Sequence, residues 1–130
     1  MNIAVRYYSK SGNTRAVAEA VAEAVGVKAV SVDTAEADIK EPVNLLFIGG
    51  ALYAYGLDKH LKEYLETLKK ENVKKAVVFS TSWLSKHSVD LIKNGLKEVG
   101  IPVEEEFFYV KNKPNDEQKK QAADFARKFI

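Results

Sequence analysis

The chain of 130 residues contains no cysteine. This absence excludes disulfides, thiolate metal sites and any chemistry that depends on a cysteine nucleophile. It suits a reducing compartment, and the N-terminal residues show no charged leader followed by a long apolar stretch, so we expect a cytoplasmic protein. Long apolar runs are also missing: residues 43–54 include the polar Asn44 and a glycine pair and fall short of a bilayer span. We expect no membrane insertion.

The sequence also lacks a strong excess of charge. Twenty basic residues nearly balance 18 acidic ones, and the formal net charge is +2. No basic stripe with interleaved aromatic residues is present, so we expect no nucleic-acid binding. His60 and His87 are isolated, and histidines or carboxylates at ligand spacing are missing. The sequence therefore predicts no metal site and no catalytic side chain.

Apolar β-type runs alternate with stretches of helical periodicity, and the length predicts a single domain over residues 1–130. The predicted strands are residues 3–8, 28–32, 43–49, 75–80 and 104–110, and the predicted helices are residues 13–25, 57–68, 89–99 and 122–129. Residues 33–42 predict a loop with one turn of helix. Strands that alternate with long helices imply right-handed crossovers and a parallel sheet. We therefore predict an α/β, three-layer sandwich around a five-stranded parallel sheet.

The segment between the first strand and the first helix has the composition of an anion site. Six positions contain three hydroxyl side chains, an amide and a glycine: Ser9, Ser11, Thr14, Asn13 and Gly12. The glycine permits a sharp turn, so that successive N–H groups can converge on an anion beside the positive end of the helix dipole. Lys10 contributes its backbone N–H. The same residue types are good helix caps, but capping alone does not need so many, and we predict a phosphate site.

Other phosphate-binding motifs do not fit this loop. The sequence has no Walker-A string, and it has no Gly-x-Gly-x-x-Gly fingerprint after the first strand. A receiver domain of similar topology would need acidic residues at the end of that strand, where Arg6, Tyr7 and Tyr8 stand. A low-molecular-weight tyrosine phosphatase would need a cysteine. The loop therefore points to a different class.

Residues 9–14 resemble the phosphate loop of flavodoxins, Ser/Thr-x-Ser/Thr-Gly-Asn-Thr, at all five specified positions. The order of elements is similar along essentially the whole chain. The resemblance implies a flavodoxin-like fold with strand order 2-1-3-4-5, and flavin mononucleotide (FMN) bound where the strand order reverses. The cofactor contacts that it implies from this loop are Ser9, Lys10, Ser11, Gly12, Asn13 and Thr14.

The resemblance also implies flavin contacts from the loops after the third and fourth strands. These contacts are Ala51, Leu52, Tyr53, Ala54, Tyr55 and Gly56 in the first of these loops, and Thr81, Ser82, Trp83 and Leu84 in the second. Tyr53, Tyr55 and Trp83 suit the walls of a flat ring; the alternative is that they plug the helix–sheet interface. Flavodoxins often place glycine and an acidic residue after the third strand. Here Ala54-Tyr55-Gly56 stands there, so the peptide that faces flavin N5 remains open.

We interpret the chain as an electron carrier that exchanges electrons with redox partner proteins through FMN. A flavoenzyme is the alternative, because residues 48–54 are also similar to flavodoxin-like protoporphyrinogen oxidases, and quinone reductases share this fold. The chain lacks the long insertions that usually build a substrate pocket. A binding module that lost the cofactor is a third possibility, and the intact first loop argues against it.

Overall fold

The computed structural model describes residues 1–53, 56–83 and 85–130. Strands and helices alternate along these residues. In chain order the elements are β1 (Ile3–Tyr7), α1 (Asn13–Val25), β2 (Ala29–Ser31), a 3-10 turn (Ala35–Ala37), β3 (Leu45–Gly50), β4 (Leu52–Tyr53), β5 (Gly56–Leu57), α2 (Lys59–Thr67), β6 (Ala76–Thr81), α3 (His87–Glu98), β7 (Val103–Val110) and α4 (Asp116–Arg127). None of the described helices is both long enough and apolar enough to cross a membrane.

Five parallel strands form the main sheet in the order β2-β1-β3-β6-β7. Counted among these five strands alone, the order is 2-1-3-4-5, so the predicted fold class and topology are confirmed. β1 lies between β2 and β3, and the direction of strand addition reverses at this point. In open α/β sheets a ligand binds beyond the strand ends at such a reversal.

Two apolar clusters cover the two faces of the sheet. Along β3, Leu46 and Ile48 belong to the cluster that contains α2 and α3, whereas Leu45 and Phe47 belong to the cluster that contains α1 and α4. A strand that is buried on both faces must be apolar at every position, which explains the continuous run in the sequence. The result is the predicted three-layer sandwich.

Two of the helices begin earlier than apolar periodicity indicates, whereas α1 begins at Asn13 as predicted and α2 begins two residues later than predicted, at Lys59. α3 begins at His87 and α4 at Asp116, whereas the sequence predicted residues 89 and 122. Apolar residues mark only the buried face of a helix, and the first turn of α4 is polar. Asn115 caps that turn, and its pairing with Gln118 forms a complete capping box.

The short antiparallel hairpin β4–β5 was not predicted. Strands of two residues are too short to show a period-2 pattern, so the sequence read as a loop. Ala54 and Tyr55 lie between these strands and fall outside the described residues.

The glycine pair at the end of β3 is required by packing. A Cβ on Gly49 would lie 2.2 Å from the Phe79 ring and 2.5 Å from the Phe79 carbonyl oxygen. A Cβ on Gly50 would lie 2.3 Å from Cδ2 of Leu61. These glycines therefore let β6 and α2 approach β3 closely.

We predict that Gly49→Ala lowers the free energy of unfolding by about 3 kcal/mol or more, because backbone as well as ring atoms must move. The measurement is urea unfolding followed by circular dichroism. Gly95→Ala is the matched control: its Cβ would meet only side-chain atoms of Leu65, the nearest being Cδ1 at 2.9 Å, and no backbone atom. The gain in helix propensity of about 1 kcal/mol offsets this smaller crowding. Equal losses in the two variants would contradict the packing explanation.

Candidate functional site

The parallel register brings four loops to one edge of the sheet. Tyr7 lies beside Gly49, Gly50 beside Ser80, and Thr81 beside Val110, so β1, β3, β6 and β7 end close together. A hollow of ≈ 250 Å³ opens between the loops that follow. Its lining residues are Ser11, Asn13, Ala51, Leu52, Tyr53, Thr81, Ser82, Trp83, Lys111 and Asn112.

Volume alone would not select this hollow. A hollow of ≈ 380 Å³ lies between α1 and α4, and one of ≈ 430 Å³ lies beside α2. Neither is at the carboxyl ends of the strands. The chemistry of the lining residues distinguishes the smaller hollow.

The loop before α1 leaves the start of that helix open to an anion. Gly12 takes the N-cap position with φ 92°, a left-handed conformation that favours glycine, and has no side chain to cap the helix. Ser11 Oγ accepts a long hydrogen bond of 3.5 Å from the Asn13 N–H. The first turn contains no acidic residue. Ser9 Oγ accepts a hydrogen bond from the Gly12 N–H at 3.0 Å, which holds the loop in a tight turn. No heavy atom lies within 4 Å of a Cβ built on Gly12, so side chains do not fill this space.

Thr14 anchors the loop to the sheet. It is 2% exposed, and its Oγ1 lies 2.6 Å from Oγ1 of Thr81 at the end of β6. Two hydroxyls have two protons, and their mutual hydrogen bond uses only one. The other proton stays available to a further acceptor, so Thr14 can join the sheet and still serve a bound anion.

Ser82, directly after β6, has a buried hydroxyl without a partner in the described part of the chain. The residue is 3% exposed and lines the hollow. Its carbonyl oxygen accepts a hydrogen bond from the Tyr109 hydroxyl, so this part of the loop is held by β7. An unpaired buried hydroxyl is costly, and a polar ligand group in the hollow would satisfy it.

The two described aromatic residues of the predicted site differ in exposure. Tyr53 is half-buried in the wall of the hollow. Trp83 is 67% exposed and does not plug the helix–sheet interface. The Lys111 ammonium lies 5.3 Å from the centroid of the Trp83 ring system. Tyr55, Ala54 and Leu84, which the sequence also placed in the site, lie outside the described residues.

Sequence reasoning missed the loop after β7. Lys111 and Asn112 line the hollow, and Asn13 Nδ2 donates a hydrogen bond to Asn112 Oδ1 at 3.2 Å. The sequence did contain a signal for this loop. All strands of a parallel sheet have their carboxyl ends at the same edge, and the predicted last strand ends at residue 110, directly before Lys111. The fourth neighbouring loop could therefore have been included.

Asp58, the N-cap of α2, was missed as well. Its Oδ1 accepts hydrogen bonds from the His60 backbone N–H at 2.7 Å and from the His60 ring at 2.9 Å, and its Oδ2 lies 3.7 Å from Lys10 Nζ. Burial acts to raise the pKa of Asp58, but these hydrogen bonds and the charges of His60 and Lys10 outweigh it, and the pKa is lowered. The carboxylate is therefore the stable form.

The fold and the site define a class: an α/β sandwich with an uncapped helix start and an aromatic-lined hollow where the strand order reverses. The flavodoxin domain family matches residues 4–126, and the chain belongs to that family. The family that the resemblance of residues 9–14 indicated is confirmed. The chain is a flavodoxin-like electron-transfer protein, and a flavin is the cofactor that the family implies.

Individual proteins agree with this assignment. The uncharacterized protein MJ0298 of Methanocaldococcus jannaschii is 26% identical over 91% of this chain and 90% of its own length. Flavodoxin 1 from Bacillus cereus has a TM-score of 0.79 at 22% identity, with 99% of this chain and 97% of that chain covered. The Flv1 flavodiiron core from Synechocystis sp. PCC6803 has a TM-score of 0.81 at 22% identity, with 99% of this chain but only 35% of that chain covered. The structural matches show a shared fold.

We predict that the Thr14–Thr81 contact stabilises the protein even without a cofactor. Thr14→Val and Thr81→Val should each lower the free energy of unfolding by about 1–3 kcal/mol, because each leaves the other buried hydroxyl unpaired. The double variant should lose less than the sum of the two. Urea unfolding of the cofactor-free protein gives all the values of the cycle, and strictly additive losses would contradict a direct interaction.

We predict that Asp58→Asn destabilises the protein by about 1 kcal/mol at pH 7, because asparagine keeps the cap but loses the charge-assisted bonds. Because the pKa of Asp58 is lowered in the folded protein, its ionised carboxylate stabilises the fold when the pH is above the ordinary pKa of 3.8. This stabilisation is lost as the pH falls through the folded-state pKa. The difference in the free energy of unfolding between Asp58→Asn and the native protein should therefore disappear when the pH is below the folded-state pKa. Urea titrations between pH 3 and 7 measure it, with exposed Asp38→Asn as the control. A difference that does not change with pH would refute the assignment.

Proposed function

We propose that the protein binds FMN, with its phosphate held by Ser9–Thr14 and its ring in the hollow, and that it carries electrons between partner proteins. FMN supplies the electron-accepting and electron-donating chemistry when bound. The protein's residues bind the cofactor and orient it. The observation that carries the proposal is the start of α1. Its N-cap residue is a glycine, its first turn has no acidic residue, and the side-chain contact that the described residues make to its first N–H groups is the long 3.5 Å bond from Asn13 to Ser11 Oγ.

The phosphate part of the proposal follows from unsatisfied donors. The first N–H groups of a helix have no partners within the helix, and their partial positive charge favours an anion. The glycine at the cap leaves the approach open, and the Thr14–Thr81 pair retains one hydroxyl proton after its mutual hydrogen bond. FMN brings a dianionic phosphate to such a site, whereas riboflavin does not. Selectivity between these two molecules is therefore the property to test.

The ring part of the proposal follows from the walls of the hollow. Tyr53 and Trp83 provide aromatic faces, and the unpaired Ser82 hydroxyl provides a polar contact. This combination of apolar walls with a few directed polar groups suits a flavin ring. The exposure of Trp83 leaves that end of the site open to an approaching protein, as transfer between partners requires. Because FMN itself supplies the redox chemistry, electron transfer needs no catalytic side chain.

The flavoenzyme alternative loses its main sequence argument. The glycines that made residues 48–54 similar to a protoporphyrinogen oxidase are explained by packing against Phe79 and Leu61. We therefore prefer a carrier that acts as one domain over residues 1–130. The absence of cysteine also favours the cytoplasm as its compartment.

We predict that the native protein binds FMN more tightly than riboflavin and that Asn13→Asp removes this preference. The new carboxylate would stand in the first turn of α1, where it stabilises the helix but repels the phosphate. FMN affinity should fall by roughly tenfold or more, whereas riboflavin affinity should change little, since about 1.4 kcal/mol of repulsion is enough. Quenching of flavin fluorescence gives both dissociation constants.

Asn94→Asp makes the same charge change on the exposed surface of α3 and should alter neither constant. Equal affinity of the native protein for the two flavins, or an unchanged FMN affinity in Asn13→Asp, would reject the phosphate site.

A further inference from the structure

One lysine connects the phosphate loop to the segment that contains the ring wall. Lys10 belongs to the loop before α1, yet its ammonium lies 3.7 Å from Asp58 Oδ2 and 4.5 Å from the centroid of the Tyr53 ring. Tyr53 ends β4, and Asp58 follows β5 and caps α2. The side chain of Lys10 therefore lies close to β4 and to the residue that directly follows β5.

Asp58 is a fixed anchor for this lysine. Its side chain is 9% exposed, and the backbone and ring of His60 donate hydrogen bonds to it. The His60 ring in turn stacks on Tyr8, with centroids 4.9 Å apart and an angle of 12° between the planes. Tyr8 directly follows β1, so the anchor is tied to the main sheet. Lys10 is 58% exposed, and its ammonium is the mobile member of the group.

The position of Tyr53 supports the same arrangement. Burial raises the pKa of the Tyr53 phenol, the backbone N–H of Lys10 lowers it, and the nearby Asp58 and Tyr8 raise it further. The phenol is thus close to the phosphate loop as well as to the anchor. Tyr53 therefore lies where the two segments meet.

In this geometry the Lys10 ammonium contacts Asp58 and the Tyr53 ring, and both contacts compete with phosphate binding. An ammonium beside a carboxylate is largely compensated, and its attraction for a second anion is weakened. Each contact is weak by itself, because exposed ion pairs and exposed cation–π contacts each contribute little to stability. Together they hold Tyr53 against the loop. We propose that the side chain of Lys10 is a positioning group for the Tyr53 wall, anchored by Asp58, and that its ammonium is not a phosphate ligand.

This inference rests on the proposed function, because it concerns the same flavin site. A phosphate ligand and a positioning residue have different effects on the affinities for FMN and riboflavin. A phosphate ligand discriminates between FMN and riboflavin, whereas a residue that positions the ring wall affects both equally. The ratio of the two affinities therefore separates the roles.

The test is the affinity of Lys10→Met for FMN and for riboflavin, since methionine keeps an unbranched apolar side chain without the charge. We expect both dissociation constants to rise by the same factor, about three- to tenfold. Asp58→Asn should act in the same way, and the double variant should bind no more weakly than Lys10→Met alone, because the anchor acts through the lysine. Lys10→Arg retains the charge and the contact with the ring and should bind both flavins like the native protein.

Lys59→Met is the matched control. Lys59 is 83% exposed and lies 3.9 Å from Glu63 on α2, so its loss should change neither constant. Urea unfolding of the cofactor-free variants checks that Lys10→Met is folded.

Three results would overturn the assignment: weaker binding of FMN alone, unchanged binding of both flavins, or additive losses in the double variant. Failure of the proposed function has a different signature, namely a native protein without preference for FMN over riboflavin.

Discussion

The contact between Thr14 and Thr81 fixes the geometry on which the site depends. It joins the first turn of α1 to the end of β6, although the two residues are 67 positions apart in the sequence. Because both hydroxyls are buried, the contact also sets the direction in which the start of α1 points. The phosphate loop is therefore held by the sheet, and the neighbouring loops are brought to it by the parallel register of the strands.

The same edge of the sheet contains features that do not favour stability. The start of α1 lacks a side-chain cap, and the Ser82 hydroxyl is buried without a partner in the described residues. Each costs free energy in a protein without ligand. Such local costs are expected where a ligand supplies the missing partners. Two other helices are capped by a side chain, α2 by Asp58 and α4 by Asn115. The N-cap residue of α3, Lys86, has no side-chain cap, but the first turn of α3 contains the acidic Asp90.

Glycines illustrate how one residue type serves different physical needs. Gly12 is needed for its left-handed backbone, whereas Gly49 is needed for the absence of a side chain beside Phe79. In the sequence both stand next to strand ends. The distinction between them depends on which residue of another strand packs against the glycine, and the local sequence does not show this.

Local sequence determined the strands, the central part of each helix and the glycine turn before α1, because hydrophobic periodicity and turn chemistry act over a few residues. Tertiary structure alone decided the contacts between loops: Lys10 with Asp58, Asn13 with Asn112, and Lys111 with Trp83. It also decided the β4–β5 hairpin, whose strands are too short to show a pattern. These features depend on the register of strands far apart in the chain, and no local period encodes that register.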